Sequence, residues 1–252
     1  MQEPELALFA LVIGHLLGDF VFQTQRDIAR KKEHEWSAYA SHAAIHYATA
    51  IFCLAALADV PMLSGRPYVA VLLIVTLHTV VDRGKCFAPA AFETAHSLAL
   101  FVVDQIVHLG VLTVVGWTIL LDRTFGSLIE AATPRIGETT LALIATYLAV
   151  VVGGGYLIRV ALDPFARKLV VEGGGEQLAH AGLYIGWLER FLILTAAIAG
   201  SFTSVGLIVA AKSIFRFPEM KDRPFAEYFL IGTLMSVTLA VLGAMFLSLV
   251  GR

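Results

Sequence analysis

Residues 5–23 read ELALFALVIGHLLGDFVFQ, an apolar run long enough to cross hydrocarbon yet interrupted at His15 and Asp19. The two are four residues apart, so on an α-helix they lie about 40° apart around the axis and one turn apart along it. Both therefore leave the helix on one face. An aspartate near the bilayer centre costs about 2.5–3.5 kcal/mol on insertion scales, so such a residue is usually paired or functional.

The same device recurs in the next three apolar segments, as His42 and His46, His78 and Asp82, and Asp104 and His108. In order the pairs read HxxxD, HxxxH, HxxxD and DxxxH. His15 precedes His42 by 27 residues and His78 precedes Asp104 by 26. The pattern predicts two helical hairpins offset by about 63 residues, each bearing four candidate ligands.

Composition fixes the class. Of 252 residues 58% are hydrophobic and 15% charged, with positive mean hydropathy. That apolar share exceeds the soluble norm of roughly 45–50% and predicts an integral membrane protein. A net charge of −2, with no basic stripe among aromatics, gives no support for a nucleic-acid partner. Cys53 and Cys86 form no CxxC and read as free thiols. The N-terminal segment lacks a basic start and carries His15 and Asp19 where a signal sequence would be uninterrupted, so a cleaved signal peptide is not expected.

Read in order, the chain predicts an all-α, polytopic transmembrane bundle of about seven spans. These are placed at Glu5–Gln23, Ala38–Ala58, Tyr68–Val81, Ala95–Leu121, Thr139–Ile158, Phe191–Ala211 and Ala226–Val250. Residues 1–121 form a four-helix, His/Asp-rich core, and residues 122–252 an extension of about three helices. Gln25–Trp36 is either a short surface helix with Trp36 at the interface or a solvated loop. Pro134 and Gly137 break the connection Asp122–Glu138, and Gly153, Gly154 and Gly155 either weaken the fifth span or let a neighbour pack closely. Asp163–Gly182, with GGGEQ, reads as a flexible connector.

Loops after odd-numbered spans, with the C-terminal residue, carry ten Lys and Arg, against seven on the other side. The bias favours an outside N-terminus and cytoplasmic odd loops. Lys212, Arg216, Lys221 and Arg223 oppose it. On this layout all eight paired residues fall within half a bilayer of the side bearing loops one and three.

Eight ionisable residues at matched spacing and depth suit metal binding, because a divalent cation offsets carboxylate charge and orients neutral imidazoles. The candidate ligands are His15, Asp19, His42, His46, His78, Asp82, Asp104 and His108. Five histidines and three aspartates could supply about four ligands to each of two ions. A nitrogen and oxygen set without thiolate suits Zn, Mn or Fe. Gln23, Gln105, Arg83 and Lys85 are candidate supporting groups. Glu189 and Arg190 could pair with each other or with Lys212 and Glu227.

The motifs HLLGDFVFQ, SHAAIHY, LHTVVDRGK and VVDQIVHL together resemble a bacterial membrane-protein family known as domain-of-unknown-function family 3307, over roughly residues 5–120. AGLYIGWLERFLIL, AAKSIFRF and DRPFAEYFLIGTL resemble the C-terminal extension of some members. More remotely, the arrangement is similar to inner-membrane proteins described as metal-dependent hydrolases. The resemblance implies a multi-pass protein of the bacterial cytoplasmic membrane.

Three functions stay open. The first is a metal-dependent hydrolase of a phosphoester or lipid-linked substrate, with no residue singled out as its base. The second is a transporter or metal-handling protein using the same residues as a cation or proton site, which a repeat of parallel hairpins also suits. The third is a structural subunit held by His–Asp pairs between helices.

Overall fold

The computed structural model describes residues 4–58, 60–86, 97–122, 138–171 and 181–250, and among them the chain is helical, with no strand. Contacts divide it into two compact units, Met1–Ala145 with Val250–Arg252, and Thr146–Leu249. Among the described residues four helices are long and apolar enough to cross a membrane, and a fifth span is added if one bent pair of helices counts as one.

In the first unit, α1 spans Pro4–Leu16 and continues as a π-helical stretch, Leu17–Phe22. The chain then bends by 90° into α2, Gln25–Lys32. Of the two readings of Gln25–Trp36, the helix is the one formed. Its start is fixed by a capping box: the Thr24 hydroxyl donates to Asp27 Oδ2 at 2.6 Å, and the Asp27 backbone N–H donates back to Thr24 Oγ1 at 3.2 Å. At its end the Tyr39 hydroxyl donates to the Lys31 carbonyl at 3.0 Å.

Next come α3, Trp36–Leu57, α4, Arg66–Cys86, and α5, Ser97–Val115, which a second π-helical stretch extends to Leu120. Helix α1 packs on α3, α3 on α4, α4 on α5, and α5 back on α1, closing a four-helix ring. The approach of α1 to α3 depends on two glycines four residues apart. A Cβ on Gly14 would lie 3.0 Å from the Ala50 backbone, and one on Gly18 would lie 2.6 Å from the His46 ring. This is the small-residue packing by which helices associate in lipid, where burial of apolar surface gives little drive. Leu11, Leu54, Val71 and Ile74 fill the middle, while Val80, Val103 and Ile106 point outward.

The second unit begins inside the fifth apolar segment. Helix α6, Glu138–Tyr147, passes through a third π-helical stretch, Leu148–Gly153, into α7, Gly154–Val171. The expected stop near Ile158 does not occur: Pro164 is accommodated and the helix runs past Asp163. Of the connector expected at Asp163–Gly182, residues 172–180 lie outside the described residues, as do 123–137 between α5 and α6.

A larger correction concerns the span expected at Phe191–Ala211. The chain instead forms α8, Ala181–Ile198, turns, and returns as α9, Phe202–Arg216. Gly200 has φ of 71°, the Gly200 N–H donates to the Ala197 carbonyl at 3.0 Å, and the Ser201 N–H donates to the Ala196 carbonyl at 2.8 Å. This pattern is the glycine-terminated Schellman stop, open to glycine because it lacks a Cβ. The two helices pack side by side, and Lys212 returns to bond Glu189.

The last helix, α10, spans Arg223–Val250. Val150, Ile193, Leu194, Val205 and Ala240 make the core of this unit. The glycines of the fifth segment serve close packing: Arg190 donates through Nε and Nη2 to the Val151 carbonyl at 3.0 and 2.8 Å, and a Cβ on Gly155 would lie 2.5 Å from its guanidinium. Glu189 pairs with Lys212, whereas Glu227 pairs with Arg223 at 3.1 Å.

Candidate metal centre

All eight paired residues of the first unit meet inside the four-helix ring. His15 and Asp19 come from α1 and its π-helical continuation, His42 and His46 from α3, His78 and Asp82 from α4, and Asp104 and His108 from α5. They form three overlapping groups: His15, Asp19, His46 and His78; His42, His78 and Asp82; and Asp82, Asp104 and His108. Within each group one potential ligand atom per residue lies within 4.8 Å of the others. The five histidines are 2–5% exposed, so none is solvated from the bulk.

Asp19 is the hub. Its Oδ1 lies 3.0 Å from His46 Nε2, 3.2 Å from His42 Nε2 and 3.7 Å from His78 Nε2. Its Oδ2 lies 3.5 Å from His15 Nε2 and accepts from the Gln105 amide at 3.4 Å. The π-helical turn helps to make this possible, because the wider turn re-aims the residues it contains and is frequent at functional sites. Gly18, one residue earlier, leaves the space that the His46 ring fills.

The supporting groups inferred from sequence fall as follows. The Gln23 amide lies 3.4 Å from His42 Nδ1 and leaves His42 Nε2 facing the centre, 3.1 Å from His78 Nε2. Gln105 also donates to Asp104 at 3.4 Å, and Lys85 donates to Asp104 Oδ2 at 2.7 Å. The Arg83 guanidinium stacks 3.7 Å over the Trp36 ring, an interfacial cation–π contact.

One residue escaped the sequence reading. Lys31, on α2, is 5% exposed and donates to Asp82 Oδ2, the oxygen that also faces His42 at 3.5 Å and His78 at 3.7 Å. Within a basic run it looks like any surface lysine. The available signal is helical register: Lys31 lies three residues after Ile28, the bulkiest apolar side chain of α2, and so on its inward face.

Several polar atoms of the centre have no hydrogen-bond partner among the described residues although buried: His15 Nε2, His108 Nδ1 and Asp104 Oδ1. Unpaired buried donors and acceptors are costly and call for an explanation such as an ion or water. His15, His46, His78 and His108, together with six aliphatic residues that include Leu11 and Ile74, border a cavity of about 10 Å³. The donor set fits a divalent cation.

A family model, described as protein of unknown function (DUF3307), matches residues 7–132. The chain belongs to this family. The DUF3307 region takes in α3, α4, α5 and all but the first three residues of α1, with every residue of the centre, and the Glu189–Lys212 pair lies outside it. No curated protein and no solved structure gives a significant match.

Proposed function

We propose that this DUF3307 protein is a metal-dependent hydrolase of the membrane, acting on a phosphoester or lipid-linked phosphate. The observation that carries the reading is the convergence of five imidazoles and three carboxylates from four helices into groups of ligand-distance atoms. A divalent ion held there, with Zn, Mn and Fe best suited to the donors, would lower the pKa of water and polarise a phosphoryl oxygen. In hydrolysis a water oxygen forms the new bond to phosphorus, the ester P–O bond breaks, and the water proton passes to the departing alcohol. We assign the protein to the bacterial cytoplasmic membrane, with the centre towards its cytoplasmic side.

The competing transport reading draws on the two-hairpin repeat, which parallel-repeat transporters also have. One comparison separates the two. Detergent-purified protein is reconstituted with Zn(II) or Mn(II), analysed for bound metal, and assayed both for phosphomonoester turnover and for cation flux in proteoliposomes. Turnover that falls roughly 100-fold or more in His42→Ala and Asp19→Asn supports the hydrolase. Flux without turnover supports transport, and absence of stoichiometric metal removes both metal readings.

A further inference from the structure

Charge within the centre is unevenly balanced. Asp82 is bonded by the Lys31 ammonium and Asp104 by the Lys85 ammonium. Asp19, side chain 10% exposed, is met among the described residues only by imidazoles and the Gln105 amide. Three carboxylates and two ammonium groups leave one negative charge, and it sits where four Nε2 atoms converge. A carboxylate taken out of water needs a compensating charge, and neutral imidazoles do not supply one. His15 Nε2, buried and without a hydrogen-bond partner, faces this same carboxylate.

The position beside Asp82 differs. His42 and His78 could join Asp82 around an ion, but the Lys31 ammonium is already on the carboxylate oxygen they face. Lys31 is held from behind as well, since its carbonyl accepts the Tyr39 hydroxyl and its helix is capped by Thr24 and Asp27. A second divalent ion there would have to displace a tethered cation from its counter-charge, and one among Asp82, Asp104 and His108 would meet two carboxylates that Lys31 and Lys85 already neutralise.

We infer that the centre holds one resident divalent ion, at Asp19 with ligands drawn from His15, His42, His46 and His78, and that Lys31, assisted by Lys85, takes the place of a second ion. This rests on the metal reading above and replaces the two ions expected from ligand number alone. The fixed ammonium would give the centre two adjacent cations while binding one metal.

The test is metal counting on the full-length, detergent-solubilised protein after loading with Zn(II) and removal of free ion. Wild type is expected to retain one ion per chain, and Asp19→Asn to bind at least tenfold more weakly. The Lys31→Met/Lys85→Met variant is expected to retain two, and Lys31→Arg, which keeps the charge, one. Two ions in wild type overturn the inference whether or not the variants fold. One ion in a folded Lys31→Met/Lys85→Met variant also overturns it. No ion in wild type overturns the metal reading itself, a result distinct from either.

Discussion

Gly18 determines whether His46 can reach Asp19. The Gly18→Ala substitution puts a methyl group 2.6 Å from the imidazole, and overpacking of this kind costs about 1–3 kcal/mol. We expect a lower unfolding temperature and at least a tenfold loss of metal affinity, both measurable on purified protein. Gly110→Ala is the matched control: nothing lies within 4 Å, and helix propensity predicts a gain of roughly 0.5–1 kcal/mol. At this scale the sequence was informative wherever an apolar helix carried an ionisable residue, because such a residue is expensive unless it has a purpose. All eight positions follow from that cost and from the four-residue spacing. Lys31 does not, because a lysine in a basic stretch violates nothing; its burial results from the 90° bend before α2, a tertiary event.

At the scale of elements, α2 acts as the mount for Lys31, and its stability should be felt in the centre. Thr24→Ala removes the cap and should cost roughly 1 kcal/mol locally. We expect faster amide exchange across Gln25–Lys32, and easier entry of a second ion if Lys31 is what excludes it. The cap has a pH signature too. The Thr24 hydroxyl and backbone N–H hold the Asp27 carboxyl below the usual carboxylate range. A lowered carboxylate pKa stabilises the folded form fully above the ordinary value, and that contribution is lost as pH falls through the lowered one. Acidification should therefore loosen α2 before the buried ring, which hydrogen exchange at stepped pH would reveal. The α8–α9 hairpin was not legible from periodicity. TAAIAGSFTSV continues the apolar pattern on both sides of the turn, and the sole local cue is one glycine before a serine. Its charges offer a separate check: Lys212→Met would leave Glu189, 6% exposed, without its ammonium, at a cost of about 3–5 kcal/mol. Replacing Glu189 by Gln in the same chain should recover much of that loss in thermal unfolding.

For the whole molecule, the hairpin changes the sidedness of everything after it. One span at Phe191–Ala211 would carry Lys212, Arg216, Lys221 and Arg223 away from the end of the second unit at which α8 begins; the α8–α9 pair brings them back to it. Single cysteines at positions 182 and 221, in a chain lacking Cys53 and Cys86, test this with an impermeant maleimide on sealed vesicles. The two positions should label from one side; labelling from opposite sides would restore the single span. The hairpin also bears on how the protein is made. Neither α8 nor α9 is among the helices able to cross a membrane by length and composition alone, and each carries a charge that lipid would reject if it arrived unpaired. Glu189 leaves the ribosome 23 residues ahead of Lys212, so stable integration must wait until the second arm has been synthesised. The two arms would then enter the bilayer as one neutralised unit, and a chain arrested between them would be left outside the lipid.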